Sequence, residues 1–257
     1  MSEEFDETAR TTHADATDET EQSTPASPRR RRESRRLHRA EVAYAASLAL
    51  FAVLAIFAHE YAYFAWDLRL ARAIQSVDLP GWAELMRWAS LFGNGATPWG
   101  LTIVTALLFL AWRRRSEGFG VLLSAAGGSF INRILKLLVG RPRPSAELVG
   151  FEYRSDELSF PSGHVTFYVC FFGFLFFVAY ALLSRGSRVR RVALVLLPLP
   201  VLLVGLSRVA LRAHWPSDVL GACLLSGVWL VFSVEAYRRW KRRATFHPEE
   251  PAVAAEE

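Results

Sequence analysis

From residue 41 onward the chain consists of apolar runs with few charges, broken by short clusters of Arg and Lys. A run of about 18 or more apolar residues is long enough to cross a bilayer as a helix. Hydrocarbon offers no partner for backbone N–H and C=O groups, so such runs must close their own hydrogen bonds. A soluble chain of 257 residues would show amphipathic periods or alternation instead. The expected fold class is therefore an all-α integral membrane protein. Six spans are predicted, over 41–57, 96–112, 119–139, 164–183, 192–209 and 216–237. The stretch 67–91 differs, because Leu68, Ile74, Leu79, Trp82, Leu85 and Trp88 alternate with charges. It is predicted to lie along the membrane surface between the first two spans.

The basic clusters orient the spans. They lie at 29–39, at Arg113-Arg114-Arg115, at 185–191 and at 238–243. With six spans all four fall on one side, which the positive-inside rule makes cytoplasmic. Both termini are then cytoplasmic, in a cell membrane, and the loops 58–95, 140–163 and 210–215 face outward. An odd number of spans would break this agreement. The same clustering explains the net charge of +5 without nucleic acid as a partner. Three regions are expected: a disordered, basic N-terminal tail over 1–40, a six-helix membrane domain over 41–240, and a cytoplasmic tail over 241–257. Residues 1–28 are rich in acids, Thr, Ser and Ala, and have too little apolar surface to order themselves.

Cys170 and Cys223 each sit inside an apolar run and are expected to be small core residues. No Cys/His cluster has metal-ligand spacing.

Three polar segments interrupt the outer ends of the spans. The first runs from Lys136 to Arg143-Pro144. The second is Pro161-Ser162-Gly163-His164. The third runs from Ser207-Arg208 to His214 and Asp218. They are distant in sequence but share one membrane depth, so they can converge. Lys136, Arg143 and Arg208 supply positive charge. Ser162 and Gly163 precede a helix start, where free N–H groups favour an anion. Together these features describe a phosphate site, since Arg binds phosphate oxygens bidentately and Lys adds a point charge. Pro216 suits a first helical position, which places Asp218 in a first turn that can reach back to His214. A carboxylate on Nδ1–H fixes the imidazole tautomer and leaves Nε2 free to attack. His164 can protonate a leaving alkoxide and then activate water. The cations can neutralise a phosphate dianion, so neither metal nor cofactor is called for.

These segments resemble the type 2 phosphatidic acid phosphatase superfamily of membrane lipid phosphatases. That family's pattern is K-x6-R-P, then P-S-G-H, then S-R-x5-H-x3-D, and every signature position is present in order. The resemblance runs from about residue 67 to the end of the sixth span. It implies metal-independent hydrolysis through a phosphohistidine. It further implies His214 as nucleophile, His164 as acid and base, and Asp218 as the residue that orients His214. Lys136, Arg143, Ser162, Gly163 and Arg208 become phosphate ligands. The expected substrate is a lipid phosphate such as phosphatidic acid, phosphatidylglycerol phosphate or a polyprenyl diphosphate, reached sideways from the membrane lipids. Transfer of the phosphoryl group to an acceptor alcohol is the alternative. Vanadate-dependent oxidation and a non-catalytic carrier rank lower, the latter because no catalytic residue is missing. Arg141 and Arg212 lie off the signature and are expected in a headgroup or loop role. Asn94, Asn132 and Arg133 are left open as neighbours of the site, and the sequence assigns no oligomeric state.

Overall fold

The computed structural model describes residues 28–150 and 158–246, all helix and connecting turns, with no strand among them. The chain divides into two compact units, Met1–Glu41 and Val42–Glu257, and the site lies wholly in the second. The helices are α1 (Pro28–Glu60), α2 (Ala65–Gln75), α3 (Trp82–Ser90), α4 (Thr97–Ala111), α5 (Arg115–Val121), α6 (Gly127–Val139), α7 (Ala146–Val149), α8 (Gly163–Leu182), α9 (Arg188–Leu196), α10 (Pro198–Ala210) and α11 (Pro216–Phe246). The tail boundaries expected at 40 and 241 thus fall inside α1 and α11. Residues 1–27 and 247–257 lie outside the described residues.

Five helical stretches are long and apolar enough to cross a membrane: His38–Glu60, Arg115–Val139, Gly163–Leu182, Arg188–Ala210 and Pro216–Arg243. Their outer faces carry exposed Val42, Leu50, Ile56, Leu137, Leu202 and Val231. In water such continuous apolar surface would drive aggregation, whereas lipid accepts it. The protein is a multi-pass membrane protein. The span predicted over 96–112 is different. α4 has only 15 residues and reaches spanning length only together with Trp82–Gly93, at a bend of 55°. The sequence Gly93-Asn94-Gly95 makes the break, with Gly95 at a φ of 55° that suits glycine. α3 therefore belongs to a bent helical pair and packs on α10.

α8 is the central helix and packs on α11, α10 and α6. Phe167, Phe171 and Phe174 recur at helical spacing and are buried with Tyr168, Val121, Val204 and Ala222. The Phe-rich run is core along that stripe. A second cluster joins α1 to the site-bearing end, where Phe51 stacks on Phe160 at 5.7 Å beside Ala58, Val139 and Leu225. His59 Nδ1 lies 2.9 Å from the Val139 carbonyl in the same region. Cys170 is buried as expected. Cys223 is exposed, because it lies on the outward face of α11.

α6 ends at Gly140, whose φ of 68° lets the chain turn sharply into Arg141 and Arg143. α8 and α11 begin, and α10 ends, at that same end. Four helix termini therefore converge where the polar segments lie.

Candidate active site

Pro216 opens α11 and Asp218 occupies its first turn. Asp218 Oδ2 accepts the Trp215 N–H at 2.8 Å and the Ser159 hydroxyl at 2.5 Å. The same oxygen lies 3.4 Å from His214 Nδ1. Ser159 Oγ lies 3.5 Å from that nitrogen. The other oxygen, Oδ1, accepts Arg141 Nη1 at 2.7 Å. The carboxylate is thus pinned on both sides, with one oxygen facing His214. Ser159 was not foreseen, since nothing in its local pattern points to Asp218, 59 residues later.

Arg141 corrects the headgroup or loop role expected for it. Its side chain is fully buried between two carboxylates. Nη2 donates to Asp67 Oδ2 at 2.9 Å, Nη1 also reaches Ser217 Oγ at 2.7 Å, and Nε donates to the Ala62 carbonyl at 3.1 Å. Phe64 lies under the guanidinium, 4.8 Å from ring centroid to Cζ. Asp67 closes the network by accepting the Ser217 N–H at 2.8 Å and the Ser217 hydroxyl at 2.6 Å. A buried guanidinium is tolerated only where its donors are met, and here they are met by two charged partners. Arg212 is a turn residue between α10 and α11, with a φ of 62°.

The three signature cations surround the histidine from separate elements. Lys136 on α6 donates to the Leu158 carbonyl at 2.5 Å and to Ser159 O at 3.4 Å. Arg143, just past α6, donates to Ala213 O at 3.1 Å, next to His214. Arg208 on α10 donates to Ser90 Oγ at 2.6 Å, and its carbonyl accepts the N–H groups of Ala213 and His214. Burial keeps the His214 imidazole well below its ordinary pKa range, and Lys136, Arg143 and Arg208 push the same way. His214 is therefore held neutral, the form in which a ring nitrogen can attack.

Ser162 and Gly163 stand where α8 begins. The Ser162 N–H bonds to the Asp218 carbonyl at 3.2 Å. Its hydroxyl is buried without a hydrogen-bond partner among the described residues. Asn132 Oδ1 and the Lys136 Cε flank Gly163. Asn132 also donates to Thr166 Oγ1 at 3.0 Å, tying α6 to α8.

His164 takes its place in the first turn of α8, with Nε2 2.8 Å from Asn94 Oδ1. Its ring lies against Gly93: a Cβ there would sit 2.2 Å from His164 Cδ2, so only glycine fits. A cavity of about 560 Å³ opens at this point, bounded by His164, Gly163, Lys136, Arg143 and Arg133 among others. His214 and Arg208 are not on its wall; both are buried. The structure thus brings all eight signature residues to one end of the bundle, and adds Asp67, Ser90, Asn94, Arg141 and Ser159 to them.

The family model of the PAP2 superfamily matches residues 117–242. Decaprenylphosphoryl-5-phosphoribose phosphatase of Mycobacterium tuberculosis is 33% identical over 157 residues, covering 57% of this chain and 77% of that protein. The chain belongs to the PAP2 superfamily. As a PAP2 protein it is a hydrolase acting on phosphoric esters. Phosphatidylglycerophosphatase B of Bacillus subtilis is 27% identical over 180 residues, covering 70% of this chain and 86% of that protein. The crystal structure of the first transmembrane PAP2 type phosphatidylglycerolphosphate phosphatase from Bacillus subtilis matches at a TM-score of 0.65. It is 24% identical and covers 77% of this chain and 98% of that one, a likeness in fold. The PAP2 match begins in α5, so Asp67, Ser90 and Asn94 come from helices and turns before it.

Proposed function

We propose that this PAP2 protein hydrolyses a lipid phosphate monoester or diphosphate through a phosphohistidine on His214. One observation carries the reading. A buried neutral imidazole faces a pinned carboxylate at Nδ1 while three cations from three elements surround it. A structural histidine needs no such cations, whereas an in-line attack on phosphorus needs both.

In the first step His214 Nε2 forms a bond to phosphorus, the ester P–O bond breaks, and His164 gives its proton to the leaving oxygen. A leaving oxygen that reaches His164 Nε2 takes the place Asn94 Oδ1 holds. In the second step His164 accepts a proton from water as the oxygen attacks phosphorus and the N–P bond breaks. Asp218 holds the Nδ1–H throughout. Lys136, Arg143, Arg208, the Ser162 hydroxyl and the Gly163 N–H hold the equatorial oxygens. The cations supply the charge neutralisation, so activity is expected to persist in chelator.

The lipid class is supported by the relatives, which are phosphatases of lipid phosphates by name. It is supported also by the site's position at the ends of apolar helices. The basic clusters at 113–115, 185–191 and 238–243 in the sequence support, through the positive-inside rule, a site at the outer face with both termini in the cytoplasm.

The test is phosphate release from phosphatidic acid, phosphatidylglycerol phosphate and a polyprenyl diphosphate, in detergent with EDTA. Wild type is expected to release phosphate, and His214→Ala to lose at least about a thousandfold. An equally active His214→Ala would refute the phosphohistidine. A wild type inactive on every lipid would refute the substrate class.

A further inference from the structure

The geometry points to Arg133 as a second anion subsite, and so to a substrate with a second phosphate besides the one transferred. This rests on the lipid-phosphatase reading and narrows it.

Ser129, Asn132, Arg133 and Lys136 follow one another on α6 at i, i+3, i+4 and i+7, and all four line the cavity at His164. The stripe is polar within a helix whose other face, Phe130, Ile134, Leu137 and Leu138, is exposed apolar surface. Two of its members are already committed: Asn132 to Pro161 O and Thr166, Lys136 to Leu158 O and Ser159 O. Arg133 is exposed on the cavity wall and makes no hydrogen bond or ion pair with any described residue. It stands six residues before Val139, roughly 9 Å along the helix axis inside a membrane span. A cation there is costly and asks for an anionic partner. Among the described residues lining the cavity none is acidic.

An anionic ligand held in the cavity supplies it instead. The transferred phosphate is already matched by Lys136, Arg143 and Arg208, leaving Arg133 as surplus positive charge. The cavity of about 560 Å³ is the size of a site for a small ligand, not for a single phosphate. Arg133 is one turn from Lys136, so a second phosphate close to the first would reach it. That phosphate can be directly bonded, as in a diphosphate. It can also be carried across a short polyol, as in phosphatidylglycerol phosphate.

The experiment compares wild type, Arg133→Gln and Arg133→Lys in full-length protein on three substrates. These are phosphatidic acid, phosphatidylglycerol phosphate and a polyprenyl diphosphate. Arg133→Gln is expected to lower kcat/KM on at least one two-phosphate lipid about tenfold or more, with the Lys variant between it and wild type. On phosphatidic acid, which has one phosphate, all three should agree within about twofold. Loss on the diphosphate alone means adjacent phosphates, and loss on phosphatidylglycerol phosphate alone means a spaced one. Equal loss on all substrates, or no loss on any, overturns the subsite and leaves Arg133 a cation that reaches the headgroup region. A wild type active only on phosphatidic acid also overturns it, while one inactive on all three overturns the lipid reading beneath it.

Discussion

The two ends of the helix bundle use the same residue types to opposite effect. At the site end, Arg141 sits fully buried between Asp67 and Asp218, and the whole network is closed to solvent. At the other end, Glu117 is nearly as buried, but its partner Lys241 keeps 37% of its side chain exposed and Arg114 keeps 52%. Arg239 and Arg242 pair there with an exposed Glu235. Charge at that end can be replaced by water and headgroups. Charge at the site end has no such substitute, because removing one member strands the others in low dielectric. The difference marks which ionic cluster is tied to chemistry and which to anchoring.

The sharpest way to break this comparison is at Arg141. Arg141→Ala leaves two buried carboxylates facing each other without their shared cation, and Asp218 loses its hold on Oδ1. The variant is expected to lose about 3–5 kcal/mol of stability. Its kcat is expected to fall about a hundredfold or more, since His214 is no longer oriented. Thermal unfolding in detergent and steady-state kinetics on the protein that remains folded check both. Because Arg141 acts through Asp218, KM should move much less than kcat, and Arg141→Lys should recover part of kcat. A kcat near wild type would mean that Asp218 keeps its place without Arg141.

Much of the site is legible in the sequence, and the part that is not has one cause. His214 and Asp218 lie four residues apart across a helix start at Pro216, so local geometry brings them together. Lys136, Arg143 and Arg208 fall in motifs with internal spacing. Asp67, Ser90, Asn94 and Ser159 belong to no local pattern. Their partners lie 74, 118, 70 and 59 residues away, and only packing delivers them. Arg141 reads as a loop residue because it precedes a proline at a span end, where arginines commonly reach for headgroups. Its true partner, Asp67, sits in a segment whose periodicity suggested a surface helix. The same segment hid the bent pair, since the charges on α3 set it apart from the apolar run of α4, which reads as a span by itself.

A second effect, smaller, tests the cations as a set. In the proposed mechanism neutral His214 is the attacking form, and burial with the three cations depresses its pKa from 6.5. Protonation that silences the nucleophile therefore sets in below pH 6.5, and the acid limb of kcat/KM belongs there. Arg143→Gln removes one of the three positive charges acting on His214 and should move that limb toward higher pH, though not beyond 6.5, because burial is the larger cause. A phosphomonoester's own ionisation near pH 6 is common to both proteins, so the difference between the two profiles is what counts. Coincident limbs would mean that burial alone keeps His214 neutral. No change at the opposite end of the bundle should move this limb at all.

The smallest effect is expected there, at Lys241. Its Nζ donates to Glu117 Oε1 at 2.6 Å and to Tyr237 Oη at 2.9 Å. Lys241→Ala removes a half-exposed cation from a buried carboxylate, which at first sight mirrors Arg141→Ala. The outcome should not mirror it. Glu117 keeps the Tyr237 hydroxyl as donor at 3.1 Å and Arg114 at 3.8 Å, so its charge is not stranded. Solvent also screens the lost pair, which limits the cost to about 1 kcal/mol. Thermal unfolding should shift by only a few degrees, and kcat and KM should stay within about twofold of wild type. A large loss of activity in Lys241→Ala would couple the two ends through α11, and the contrast between anchoring and catalytic charge would no longer hold.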